Sequence, residues 1–299
     1  MIIYLDFNKW IELSKFEHGK DSSKRARQIL KEFRAAKDSG CIFPLSSVHH
    51  IEFSRISNLG RRKRLGSVMW EYSQGNALAP YGRIVEREIE VAFQKYFPKI
   101  VPRKLELIGR GVDFSFGVEI DSPLYHNLSD LFNKTMLTGS EELNIDPISS
   151  DNLFKQRKSF LSHLEEIHTK KHELEKSELD DWLHALSMAD ILDPINRVLD
   201  YHGIDFSLLS SLDTAEHRSL LHSMPTRRLD IHLHRQVLKN PNYKAKMSDL
   251  EDWGGVGVAS CYCDVVICEK HFADMLSRDK YRPKARIETK LENLLENIL

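Results

Sequence analysis

Long apolar runs are missing from this chain. No stretch of 18 or more apolar residues occurs, so no membrane-spanning helix is expected. The opening residues also lack the basic start and long apolar centre of a secretory leader. Cysteine is scarce: Cys41, Cys261, Cys263 and Cys268 are too few to frame 299 residues with disulfides, and a reducing cytoplasm is the expected compartment. Net charge is nearly absent at −1, so any nucleic-acid surface must be a local patch. No Walker loop, dinucleotide fingerprint or Ser-His-Asp order is found. What remains is 41% apolar and 29% charged, a globular composition, at a length giving one large domain or two ordinary ones.

The most informative stretch is 248–276, SDLEDWGGVGVASCYCDVVICEKHFADML. It reads as a helix start, a turn and a buried strand. Ser248 and Glu251 have capping-box spacing, and Asp249 and Asp252 share one helical face. Val265-Val266-Ile267 fits a buried strand, with Glu269 just past its end. Acids in a first turn also complement the helix dipole, which is the plainer account of the Asp pair. The recurrence of an isolated acid beside other strand-like runs favours a site.

At the N-terminus, Ile2-Ile3-Tyr4-Leu5 is a strand and Asp6 follows at once, with Asn8 two residues on. A strand this early suits the centre of a parallel sheet, whose ligands bind beyond the carboxyl ends. Asp6 also suits the cap of a helix beginning near Trp10. A basic helix is expected over 22–37, and a short strand over 41–45, interrupted by Pro44. Ser46 or Ser47 then caps a helix with Val48, Ile51, Ile56 and Leu59 on its apolar side, ended by Asn58-Leu59-Gly60. Glu52 lies beside that stripe, where a carboxylate needs a partner, either Arg55 or a metal ion.

The order strand–Asp, helices, strand, helix–Glu, and later helix–Asp/Asp and strand–Glu resembles the PIN-domain nucleases (PilT N-terminus family). YLDFNKW, PLSSVHHIEFSR and DLEDWGGVGVASCYCDVVICEKHF carry the resemblance, over about 1–90 and 240–280. It implies an α/β fold, a parallel sheet flanked by helices, with divalent metal held by Asp6, Glu52, Asp249 and Asp252, and with Glu269 as a further acid. The last acid is Glu where Asp is commoner in that family. The chain is also about twice the usual length, which implies a helical insertion. Asp264 competes with Glu269 but precedes its strand and faces the other end. The resemblance implies an RNA substrate, with DNA or a flap as the enzymatic alternative. A degenerate RNA- or protein-binding scaffold is the non-enzymatic one.

The residue types fit this chemistry on their own terms. Mg²⁺ or Mn²⁺ prefers oxygen ligands, and clustered carboxylates repel one another until a cation neutralises them. Such an ion clamps a phosphate and acidifies an attacking water. Arg61, Arg62, Lys63 and Arg64 offer a phosphate track or an ordinary solvated face, and Arg278, Lys280, Arg282, Lys284 and Arg286 form a second basic stretch.

The expected organisation is a catalytic core over 1–90, a largely helical insertion over 91–240, and the rest of the core over 241–299. A helix is expected over 83–97, loops with short helical pieces over 109–150, and mostly helix over 151–202. His163, His168 and His172 read as a polar helix surface, and His232 and His234 share one side if their segment is extended. Cys261, Cys263, Cys268 and His271 are read as packing residues in preference to a zinc set. Residues 285–299 form an amphipathic stripe (Ile287, Leu291, Leu294, Leu295, Ile298) that packs on the core or pairs two chains into a homodimer. A regulatory protein partner stays open.

Overall fold

The computed structural model describes residues 1–139, 152–170, 173–240, 242–246 and 249–294. The Ser248 half of the expected capping box, His172, Leu295 and Ile298 lie outside the described residues. The strands are β1 (Ile3–Leu5), β2 (Asn76–Leu78), β3 (Ile108–Arg110), β4 (Val265–Ile267) and β5 (Arg286–Glu288). Helices α1 (Phe7–Glu17), α2 (Lys24–Asp38), α3 (Ser47–Ser54) and α4 (Leu59–Ser73) precede β2, and α5 (Tyr81–Phe93) follows it. After β3 come α6 (Gly111–Phe116), α7 (Pro123–Thr138), α8 (Asn152–Lys170), α9 (Lys176–Ala189), α10 (Leu192–Tyr201), α11 (Thr214–Ser223) and α12 (Pro225–Lys239). The late motif holds α13 (Asp249–Asp252) and α14 (Val258–Tyr262) before β4, and α15 (Lys270–Ser277) after it.

The architecture is α/β and mostly helical, around a parallel sheet ordered β1-β4-β5. Ile3 stands opposite Val265 and Leu5 opposite Ile267. Alternation along the strands divides the core. Ile3, Leu5, Val265 and Ile267 face one apolar cluster with Trp10, Leu13, Ile29 and Phe33. Tyr4 and Val266 face the other, with Val256, Ala259, Phe272 and Leu233. Burial on both faces is what a parallel sheet requires, and it explains why these strands are uniformly apolar.

The expected strand over 41–45 is reduced to two parallel bridges, Ile2–Ile42 and Leu45–Ala77. Ile42 donates its N–H to Met1 and accepts from Ile3, and Leu45 exchanges both bonds with 76–78. Pro44 between them has no N–H to offer a ladder. The segment therefore joins β1 on one side to the antiparallel pair β2–β3 on the other.

Four other expectations are corrected. The helix bearing Glu52 ends at Ser54, and Asn58 instead caps α4 by accepting from the Arg61 N–H at 2.8 Å. Within 109–150, α7 is a sixteen-residue helix started by Ser122 and Pro123. Ile287 lies in β5, because the open edge of β4 captures 286–288, and Leu291 and Leu294 bury in a 3₁₀ turn. Gly254-Gly255 makes no turn: 253–257 is a π-helical segment continuous with α13 and α14. A Cβ on Gly255 would stand 2.7 Å from the Tyr4 hydroxyl, so glycine permits this helix to press against β1.

Candidate functional site

Asp6 leaves the sheet at the carboxyl end of β1. Its N–H extends the ladder by donating to the Ile267 carbonyl at 2.9 Å. Its carboxylate Oδ1 accepts from the Phe7 N–H at 2.7 Å and caps α1. The capping role is therefore real, but it leaves the side chain buried at 7% exposure. Burial pushes its pKa to about 6, aided by the Glu269 charge and opposed by the Phe7 N–H and Lys9.

Glu269 leaves the sheet one strand over, past the end of β4, where it occupies the cap position of α15. Asn8, in the first turn of α1, donates its side-chain amide to Glu269 Oε1 at 2.6 Å. The two strand ends are thus tied across the site by a bond between residues at positions 8 and 269. Asp264 lies at the other end of β4, where it accepts from the Ile2 N–H at 2.7 Å.

Asp252 ends α13, where the helix widens into its π segment. Burial, then the charges of Asp6, Asp249, Glu269 and Glu251, push its pKa to about 7. Asp249, one helical turn earlier, is buried and accepts from the Tyr243 hydroxyl at 2.7 Å and from the Lys246 N–H at 2.8 Å. Cys268 lies buried between the acids, and burial with the Asp6 and Asp252 charges pushes its thiol to about 12. Asp6, Asp252, Asp249 and Glu269 therefore form one electrostatically coupled group at the carboxyl ends of β1 and β4. That is the edge at which open α/β sheets bind ligands.

Glu52 lies on α3, half-buried, and its charge acts together with that of Asp6 on the Tyr4 hydroxyl. Arg55, just past α3, pairs with buried Glu251 at 2.6 Å. Among the described residues, no group of three or more His, Cys, Asp or Glu side chains is arranged to hold a metal ion.

A buried polar clamp that the residue types did not announce holds α3 against β1. The Ser46 N–H donates to His49 Nδ1 at 2.9 Å, so the opposite ring nitrogen carries the proton and donates to the Leu5 carbonyl at 2.7 Å. Tyr4 Oη lies 2.9 Å from Ser46 Oγ. Burial lowers His49 to about 3, so the ring is neutral. The signal in the sequence was the capping-box spacing of Ser46 and His49, with His in place of the usual Glu or Gln.

The basic run divides. Arg61, Lys63 and Arg64 are exposed on α4, while Arg62 is buried at 7% and donates to the Ile56 carbonyl. In the second stretch, Lys284 binds the Tyr262 carbonyl and Arg286 the carbonyls of Asn293 and Leu294, so both serve the fold. His232 and His234 lie on α12, not on an extended segment, because Leu229, Leu233 and Val237 repeat at helical spacing after Pro225. They point apart: His232 to the Met275 carbonyl, His234 to that of Asp230. None of the described helices is long and apolar enough to cross a membrane. No family model, curated protein or solved structure matches the chain.

Proposed function

We propose that this chain is a PIN-like, divalent-metal-dependent nuclease that hydrolyses RNA phosphodiesters. One observation carries the reading. Acids from both ends of the sequence converge beyond β1 and β4, and two of them, Asp6 near 6 and Asp252 near 7, resist ionising together. A cluster of that kind costs stability unless something cationic repays it.

The donor set fits Mg²⁺ or Mn²⁺, because it offers carboxylate oxygens, and burial with the acids' charges holds the neighbouring Cys268 thiol in its protonated form. Asp6, Asp252, Asp249 and Glu269 would hold the ion, with Glu52 reaching in from α3. When bound, it neutralises the carboxylates and the scissile phosphate and lowers the pKa of water. The protein's own part is positioning. Capping α1 fixes Asp6, Tyr243 and the Lys246 amide orient Asp249, and the Asn8 amide orients Glu269. The choice of RNA comes from the family resemblance alone.

A metal-free scaffold is the second reading. It draws on the absence of a ligating trio among the described residues and on the bonds that already occupy Asp249. Purified protein incubated with matched single-stranded RNA and DNA in Mn²⁺, with calorimetric titration of Mn²⁺ alone, separates the two. The nuclease reading expects cleavage that Asp6→Asn abolishes while leaving the fold intact. Cleavage that survives Asp6→Asn refutes the carboxylate assignment. No cleavage and no ion uptake leave the scaffold.

A further inference from the structure

Away from the acids, the C-terminal end of α1 and the first turns of α4 enclose a notch of about 60 Å³. Lys15, His18, Lys20, Arg61 and Arg64 line it above an apolar floor that includes Leu65. No carboxylate lines it. Among the described residues, Lys15, Lys20, Arg61 and Arg64 make no ion pair with any acid. The carboxylates nearest in sequence are committed elsewhere: Glu12 to Arg25, and Glu17 to Arg34 and Tyr72.

This concentration of one sign is unusual in a chain of formal charge −1. Four long, exposed cations around a small concavity give it a positive potential that favours an anion. The rim is also fixed. His18 Nε2 lies 3.1 Å from the Arg64 carbonyl, which joins the two helices at that point. The helix dipoles oppose each other here, the end of α1 against the start of α4. The α1 end is partly quenched, since the His18 and Gly19 N–H groups take the Ser14 and Phe16 carbonyls. The side-chain cations therefore decide the sign of the potential.

We propose that this notch binds a single phosphate group of a nucleic-acid strand whose scissile bond lies at the acids. The notch has room for one tetrahedral oxyanion. Arg61 and Arg64 offer forked donors, and Lys15 and Lys20 offer point charges. Lys15 lies nine positions along α1 from Asp6, about 14 Å at the usual helical rise of about 1.5 Å. One strand can therefore reach both places. The pocket rests on the nuclease reading for the claim that its phosphate belongs to an RNA strand cut at the acids.

The test uses the full chain in EDTA, so that binding is read without cleavage. Inorganic phosphate is titrated by calorimetry at low salt, and single-stranded RNA is bound across a salt series. The proteins are wild type, the double variant Lys15→Gln/Arg64→Gln, and Lys31→Gln, an exposed cation of α2 that does not line the notch. The expected result is phosphate binding by wild type and Lys31→Gln, and at least tenfold weaker binding by the double variant. For RNA, the slope of log affinity on log salt should shrink by about 0.7 in the double variant, the share of the one phosphate that the notch holds on a single strand. Equal phosphate binding by the double variant, or none by wild type, overturns the pocket. Phosphate binding with an unchanged RNA slope overturns its assignment to the strand. Either failure alongside Asp6→Asn abolishing cleavage leaves the nuclease reading standing.

Discussion

Replacing Asp252 with asparagine should make the protein more stable above neutral pH and leave it nearly unchanged in acid. The carboxyl sits at about 7 in the folded protein against an ordinary 3.8, through burial and then through Asp6, Asp249, Glu269 and Glu251. In that interval the native state holds a proton that the unfolded chain has released, so stability falls as pH rises. Nothing is lost below about pH 4, and the whole penalty is present above about pH 7. A displacement of this size is worth about 4 kcal/mol, an upper figure because water and side-chain rotation relieve part of it. Asparagine keeps the shape and carries no charge, so the difference between variant and wild type should open between pH 4 and 7. At about 2–4 °C per kcal/mol for a long chain, the melting temperature at pH 8 in EDTA should rise by roughly 10 °C. Adding Mn²⁺ should stabilise wild type at pH 8 and the variant much less. Melting curves that run parallel from pH 4.5 to 8 would refute the idea that repulsion at this cluster is stored in the fold.

His49 should act with the opposite sign. Its folded value near 3 lies below the unfolded 6.5, so the stability it contributes is full above 6.5 and drains as pH falls toward 3. His49→Gln should flatten that acid limb in urea titrations, and an unchanged limb would refute the buried neutral ring. Arg55→Ala should cost about 3–5 kcal/mol in denaturant unfolding, because it removes the guanidinium bonded to Glu251, 5% exposed. A cost below about 1 kcal/mol would refute a structural role for that ion pair. Gly255→Ala should cost about 1–3 kcal/mol by driving a methyl against the Tyr4 hydroxyl, and Tyr4→Phe in the same background should recover part of it.

Local features were readable from the chain and partnerships were not. Asp6 and Glu269 could be placed beside one another because each directly follows an apolar run, and parallel strands put such residues on one edge. Asp249 and Asp252 came from helical spacing. Glu52 was offered Arg55 or a metal ion from its place beside the apolar stripe, and nothing in that spacing showed that the guanidinium reaches Glu251 on another helix. Arg62 looked like its three neighbours, and only packing shows that one of four successive cations on a helix must turn inward. The apolar stripe over 285–299 obeyed a helical period, but an unpaired edge on β4 made three of its residues worth more as a strand. The Gly254-Gly255 pair signalled a turn, when its purpose was to let a helix approach β1.

The pairing of β1 with β4 joins Ile3 to Val265, residues 262 positions apart. On a ribosome adding about 5–20 residues per second, β1 must therefore wait roughly 13–50 s for the strand that covers one of its edges. Ile3, Tyr4 and Leu5, buried to 1% exposure or less at the end, spend that interval without their main partner. Helices α1 and α2 can shelter one face of β1 during the delay, but nothing synthesised earlier can complete its ladder. Nascent chains stopped before β4 should accordingly be the forms most prone to aggregate and most dependent on chaperones, and the emergence of β4 from the exit tunnel should set the pace of folding.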